Sequence, residues 1–78
     1  MRREEIVKKL EAIFSDLFDE EISLSDQMSP ADIEEWDSLM QISILAAVQD
    51  EFDVSFEIDE IVAMKNVGDI VAAIREKI

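Results

Sequence analysis

The sequence predicts an all-α fold, a small four-helix bundle of three main helices and one short one, with a long first loop. Three observations carry this. Apolar residues recur at spacings of three and four in three separate segments. Between the first two segments, residues 19 to 37 have no period and collect Ser, Asp and the single Pro. Only one short stretch alternates like a strand, and a lone strand has nothing to pair with.

The first helix is expected over residues 3 to 18. Ile6, Leu10, Ile13, Phe14 and Leu17 form its apolar stripe, widened by Val7 and Phe18, while Glu4, Glu5, Lys8, Lys9 and Glu11 fill the other face. Glu4 with Lys8, and Glu5 with Lys9, are i,i+4 pairs in the favoured order. In the loop that follows, Ile22, Leu24, Met28 and Ile33 are the apolar anchors. Ser29-Pro30-Ala31-Asp32 reads as a helix start, with Ser as cap and Pro at the first position, worth one or two turns at most. A loop this long is unusual in so small a domain and is often functional.

The second helix is expected over residues 38 to 52. Leu39, Ile42, Leu45 and Phe52 fall on one stripe, with Ile44, Ala46 and Val48 beside it. As the most apolar segment it belongs at the centre of the core, and Asp53 and Val54 should end it. "SFEIDE", residues 55 to 60, alternates apolar and polar, but a short helix over Asp59 to Met64, turning Ile61 and Met64 inward, fits an all-α chain better. The last helix opens near Asn66, a good cap with Asp69 three residues on. Val67, Ile70, Val71 and Ile74 make its stripe, and Arg75 and Lys77 suit the negative end of its dipole.

Composition limits the chemistry. The 78 residues make one domain, 1–78. A domain near this size buries only about 60% of the surface its unfolded chain exposes, which leaves no interior for a deep enzyme cleft. Cysteine and histidine are both absent. Disulfides, thiolate metal sites and a Ser–His nucleophile pair are therefore excluded. No Asp-x-Asp-x-Asp-Gly loop exists for calcium, and Gly68 is the only glycine. The expectation is a protein without catalytic residues or a metal site.

The charge is lopsided, with a formal net charge of -13. Between Lys9 and Lys65 there is no Lys or Arg, yet that interval holds sixteen of the twenty acidic residues. Such a surface repels nucleic acid and anionic lipid and attracts basic patches on proteins. The longest apolar run, Ile44 to Val48, is far shorter than a membrane span. No secretory signal pattern is visible, so the expectation is a cytoplasmic monomer without membrane insertion.

The stretch that carries most is Glu35-Trp36-Asp37-Ser38-Leu39-Met40-Gln41. Ser38 at the start of a helix reads locally as a cap, with Gln41 reaching back in a capping box, although Asp37 could cap equally well. The same position also suits a phosphate ester, because a helix N-terminus presents free amides and partial positive charge. Ser38 cannot act as a nucleophile by itself, since no base is available to activate it.

Asp37-Ser38-Leu39 opening the second helix, Glu51-Phe52-Asp53 closing it, the acidic Asp59-Glu60 segment and the last helix opening at Val67 together resemble an acyl carrier protein. The resemblance covers nearly the whole chain. It implies that Ser38 accepts a phosphopantetheine arm, transferred from coenzyme A by a separate magnesium-dependent phosphopantetheinyl transferase. The arm's thiol would hold an acyl group as a thioester, which supplies the sulfur the chain lacks. Asp37 would help to position the serine, and Leu39 would contact the transferase and later acyl-loading and acyl-transfer enzymes.

The departures from the family pattern are informative. Many fatty-acid carriers have Gly shortly before the Asp-Ser pair, where this chain has Glu35 and Trp36. "WDSL" preceded by "DIEE" resembles stand-alone carriers of specialised lipid, polysaccharide-modification or secondary-metabolite routes. The side of the second helix that usually meets partners is acidic in the family. Here it reads Met40, Ser43, Ala46, Gln49 and Asp50, and only the last is acidic. Phe56 matches a usual apolar contact, while Ile58 and Val62 replace commonly acidic positions. The partner surface is therefore assigned to Trp36, Met40, Ser43, Gln49, Asp50, Phe56, Ile58 and Val62, with more reliance on apolar contact than is usual. For Trp36 the alternative is a plug for the loop, and for Met40, Ile58 and Val62 an enlarged core. An acyl chain would tuck between the second helix and the short and last helices. Its expected lining is Leu39, Ile42, Leu45, Ala46, Phe52, Ile61, Met64, Val67 and Val71, all ordinary core residues if no chain binds there. Two alternatives stay open: an aminoacyl carrier, though the Gly-Gly such carriers often show is absent, and an acidic adaptor with no arm.

Overall fold

A computed structural model describes residues 2 to 78. Four helices follow one another: α1 (Arg3–Phe18), α2 (Ser38–Phe52), α3 (Ile58–Ala63) and α4 (Val67–Lys77). There is no strand among the described residues. The short helix starts and ends one residue earlier than the sequence suggested, the first two match the expected spans, and α4 opens where expected.

Local chemistry sets the helix ends. Asp19 and Asp53 each take a left-handed conformation with φ of 54°, and their amides donate to Ser15 O and Gln49 O. Asp tolerates this region because its short polar side chain can bond locally. α4 opens on Asn66, whose side chain accepts from the Asp69 amide at 2.8 Å. The Asp69 carboxylate reaches back to accept from the Lys65 amide at 2.9 Å.

The core is built from three helices and two outliers. Ile6, Leu10 and Phe14 of α1 meet Ile44, Leu45, Val48 and Phe52 of α2 and Val67, Ile70, Val71 and Ile74 of α4, and Trp36 and Met64 complete it. α1 packs against both α2 and α4. No residue of α3 itself is buried; it is anchored through Met64, which follows it.

This corrects the stripe expected on the second helix. Leu39 and Ile42 point to solvent, 73% and 64% exposed, and Ile44 is fully buried instead. α2 is apolar on two faces, so its period could not say which face turns inward. The expected Glu5–Lys9 pairing is likewise replaced. Lys9 reaches across to Glu51 of α2 at 3.2 Å and lies 5.8 Å from the centroid of the Phe52 ring.

The long loop is tied down at several points. The Ile22 amide donates to Ser15 Oγ at 3.0 Å, and the Leu24 amide to Glu11 Oε2 at 2.9 Å. Arg3 pairs with Asp26. Met28 O and Asp26 O accept from the Val67 and Gly68 amides at 2.9 and 3.0 Å, so the loop caps the start of α4. A Cβ on Gly68 would stand 3.3 Å from Asp26 O, which is why that close approach favours glycine. Ser29 to Asp32 form a single closed turn: the Asp32 amide donates to Ser29 O and the Ser29 amide to Asp32 Oδ2.

Candidate functional site

The site forms where the loop enters α2. Asp37 is the N-cap: its Oδ1 accepts from the Met40 amide at 2.8 Å, and its carbonyl from the Gln41 amide at 2.9 Å. That settles the choice the sequence left open. Ser38 is the first helical residue, exposed, and its hydroxyl is left out of the cap. The geometry puts a serine oxygen at the surface beside the amides of a helix N-terminus, where a phosphate ester is favoured.

Trp36 fixes this entry from beneath. It is 2% exposed, so of the two readings the sequence offered it is the plug of the core and not part of the partner face. Its ring stands edge-on to Phe14, with centroids 5.1 Å apart. Its indole N–H donates to Gln41 Oε1 at 2.6 Å. Gln41 therefore does not close a capping box with Ser38. Its Nε2 points instead to Met64 O at 3.5 Å, linking α2 to the end of α3.

An open groove of about 680 Å³ begins at Ser38 and runs between α2 and α3. Ile42, Ile61 and Val62 give it apolar walls, Gln41 and Met64 lie along it, and Lys65 stands at its edge. Ile42, Ile61 and Met64 were among the expected acyl-lining residues. The others are elsewhere. Leu45, Phe52, Val67 and Val71 are packed into the core, and Leu39 and Ala46 face solvent away from the groove lining. Gln41, Pro30 and Lys65 line the groove and were missed. The one available signal was Lys65, the first base after Lys9 in an acidic interval.

The other expected partner residues divide. Leu39, Ser43, Asp50, Ile58 and Val62 are exposed, and Ile58 and Val62 are 77% and 70% open to solvent. Met40 and Phe56 are half-buried and pack against the core, the enlarged-core alternative for Met40. Gln49 is spent internally: it donates to Leu45 O at 3.1 Å and accepts from the Phe56 amide at 2.9 Å. Both ends of its amide are thus engaged within the chain, which gives the half-buried Gln49 a structural role that the sequence did not show.

α3 is held to α4 by a polar clasp. Glu60 accepts from the Glu57 amide at 2.9 Å and pairs with Lys77 at 3.1 Å. Lys77 also lies 5.9 Å from the centroid of the Phe56 ring. The Glu57 amide first, and Lys77 second, hold the Glu60 carboxyl below its ordinary value. Among the described residues, no group of three acids is placed to hold a metal ion. Among the same residues, no helix is long and apolar enough to cross a membrane.

Residues 8–74 match the family described as the phosphopantetheine attachment site. The chain belongs to that family. Its fold agrees: the solution structure of a holo acyl carrier protein from Geobacter metallireducens superposes with a TM-score of 0.85 at 30% identity, covering 92% of this chain and 84% of that one. Carrier membership thus rests on both sequence and structure, and a covalently attached phosphopantetheine goes with it. No curated protein matches the chain significantly.

Proposed function

We propose that Ser38 carries the phosphopantetheine arm and that the protein is a carrier without catalytic activity of its own. The observation behind this is the exposed Ser38, with its hydroxyl outside the cap, at the mouth of an apolar groove in a chain of the attachment family. The residues present suit such a group. The free amides at the start of α2 favour its phosphate, and the groove walls offer apolar surface to what it bears. The group would supply a terminal thiol on which an acyl unit is held as a thioester.

The chain's own residues do the rest. Asp37 takes the cap and so leaves Ser38 accessible to a transferase. Trp36, locked by Phe14 and Gln41, anchors the loop two residues before the serine. Leu39, Ile58 and Val62 present exposed apolar surface in a strongly acidic setting. A partner enzyme suited to this would offer apolar side chains ringed by Lys and Arg. This neutral, apolar face on the second and third helices favours a specialised lipid, polysaccharide-modification or secondary-metabolite route over general fatty-acid synthesis.

The test is intact mass after incubation with coenzyme A, magnesium and a broad-specificity phosphopantetheinyl transferase. The parent should gain one phosphopantetheine and Ser38→Ala none. A folded parent that gains nothing across several transferases would leave the acidic-adaptor reading.

A further inference from the structure

We propose that Gln41 confines the cargo to the surface groove and closes the core to it, so that the protein is built for short acyl chains. This rests on the carrier reading and deepens it.

Gln41 is part-buried and uses both ends of its amide. Oε1 holds the indole N–H of Trp36 at 2.6 Å, and Nε2 faces Met64 O at 3.5 Å. One side chain thus ties the loop, α2 and the end of α3 together beside Ser38. Leu45, one turn further along α2, and Val67 and Val71 are all no more than 2% exposed. An alkyl chain threading inward between α2 and α3 would have to part Gln41 from Met64 O. It would also disturb the acceptor of a buried indole N–H. An alkyl chain brings no hydrogen-bonding group to replace the acceptor of the Trp36 indole, and an unsatisfied buried polar group is expensive.

The groove asks for no such break. Ile42, Ile61 and Val62 already line it, and two of these side chains are largely solvent-exposed, so covering them removes apolar surface from water. The groove is also open along its length. Only the carbons nearest the thioester gain cover there, and the far end of a long chain stays in water. The gain therefore saturates at short length. The amide at position 41 sets that limit, and a residue of similar size without hydrogen-bonding groups would lift it.

The experiment loads parent and Gln41→Ala with saturated acyl chains of four and twelve carbons, using the matching acyl-coenzyme A and a phosphopantetheinyl transferase. Intact mass verifies loading, so a failure to load counts against the carrier reading and not against Gln41. Methyl NMR shifts and the melting temperature are compared with those of the holo form. In the parent, both chains should shift the methyls of Ile42, Ile61 and Val62 and leave those of Leu45 and Val71 in place. In Gln41→Ala, the twelve-carbon chain should also shift Leu45 and Val71 and raise the melting temperature. The proposal fails if the twelve-carbon chain moves the core methyls of the parent, or leaves those of the variant untouched. Gln41→Met, which keeps the bulk and removes the hydrogen bonds, stands in where alanine does not fold, and is judged by the same two results.

Discussion

The Trp36 ring meets Phe14 edge-on, with their planes at 88°. This contact pins the end of the loop to the first helix, two residues before Ser38. Truncating a buried Trp costs about 3–5 kcal/mol. A domain of this length holds only about 4–12 kcal/mol in total. Trp36→Ala should therefore remove a quarter or more of that stability. Trp36→Phe keeps a ring against Phe14 but leaves Gln41 Oε1 without its donor, costing about 1–3 kcal/mol. Urea denaturation followed by circular dichroism measures both. Two variants as stable as the parent would put Trp36 back on the surface.

The cap on α2 separates the roles of two adjacent residues. Asp37→Ala removes the acceptor of the Met40 amide and should cost about 1 kcal/mol, with Asp37→Asn nearly neutral. Ser38→Ala should stay within about 0.5 kcal/mol of the parent, as expected for an exposed residue outside the cap. Thermal unfolding of the three variants checks this. A Ser38→Ala loss equal to that of Asp37→Ala would mean that the serine shares the cap.

Glu60 makes stability depend on acidity in a defined direction. Its carboxyl is held below its ordinary value of 4.5 by the Glu57 amide and Lys77. A carboxyl with a lowered value contributes stability above its unfolded value, and loses it as pH falls through the folded one. Glu60→Gln should melt lower than the parent at neutral pH, and the gap should close as pH drops below 4.5. A gap that persists unchanged in acid would show that the loss comes from packing.

Net charge should make the fold salt-sensitive. With -13 charges on 78 residues, like-charge repulsion opposes the compact state. At about 0.1 M salt the screening length is about 10 Å, shorter than much of the surface separation. Melting temperature should rise between low and moderate sodium chloride. A flat response would mean that the acids are spaced widely enough to ignore one another.

Three of the helices could be read from the sequence because their apolar stripes and their stops are local features. The spacing of Ile6, Leu10 and Phe14, the Asn66 cap and the Asp53 stop all act within a few residues. What could not be read was orientation. α2 offers apolar residues on both faces, so Ile42 and Ile44 were exchanged between solvent and core. The fate of Trp36 and Gln49 was equally hidden. Trp36 depends on Phe14, far away along the chain, and Gln49 depends on the path of residues 53 to 56. Ser38 stood out by its motif, but which residue caps was undecided until the Asp37 side chain could be placed. Gln41 was read as a local cap partner because its actual partners, Trp36 and Met64 O, are brought together only by the tertiary fold.

The proposed function places the arm on one particular hydroxyl. Peptide mapping by tandem mass spectrometry of the protein modified by transferase and coenzyme A tests it most directly. A single phosphopantetheine is expected, found on the peptide that contains Ser38 and localised to that residue. Modification at another serine, such as Ser43 five residues further along α2, would contradict it.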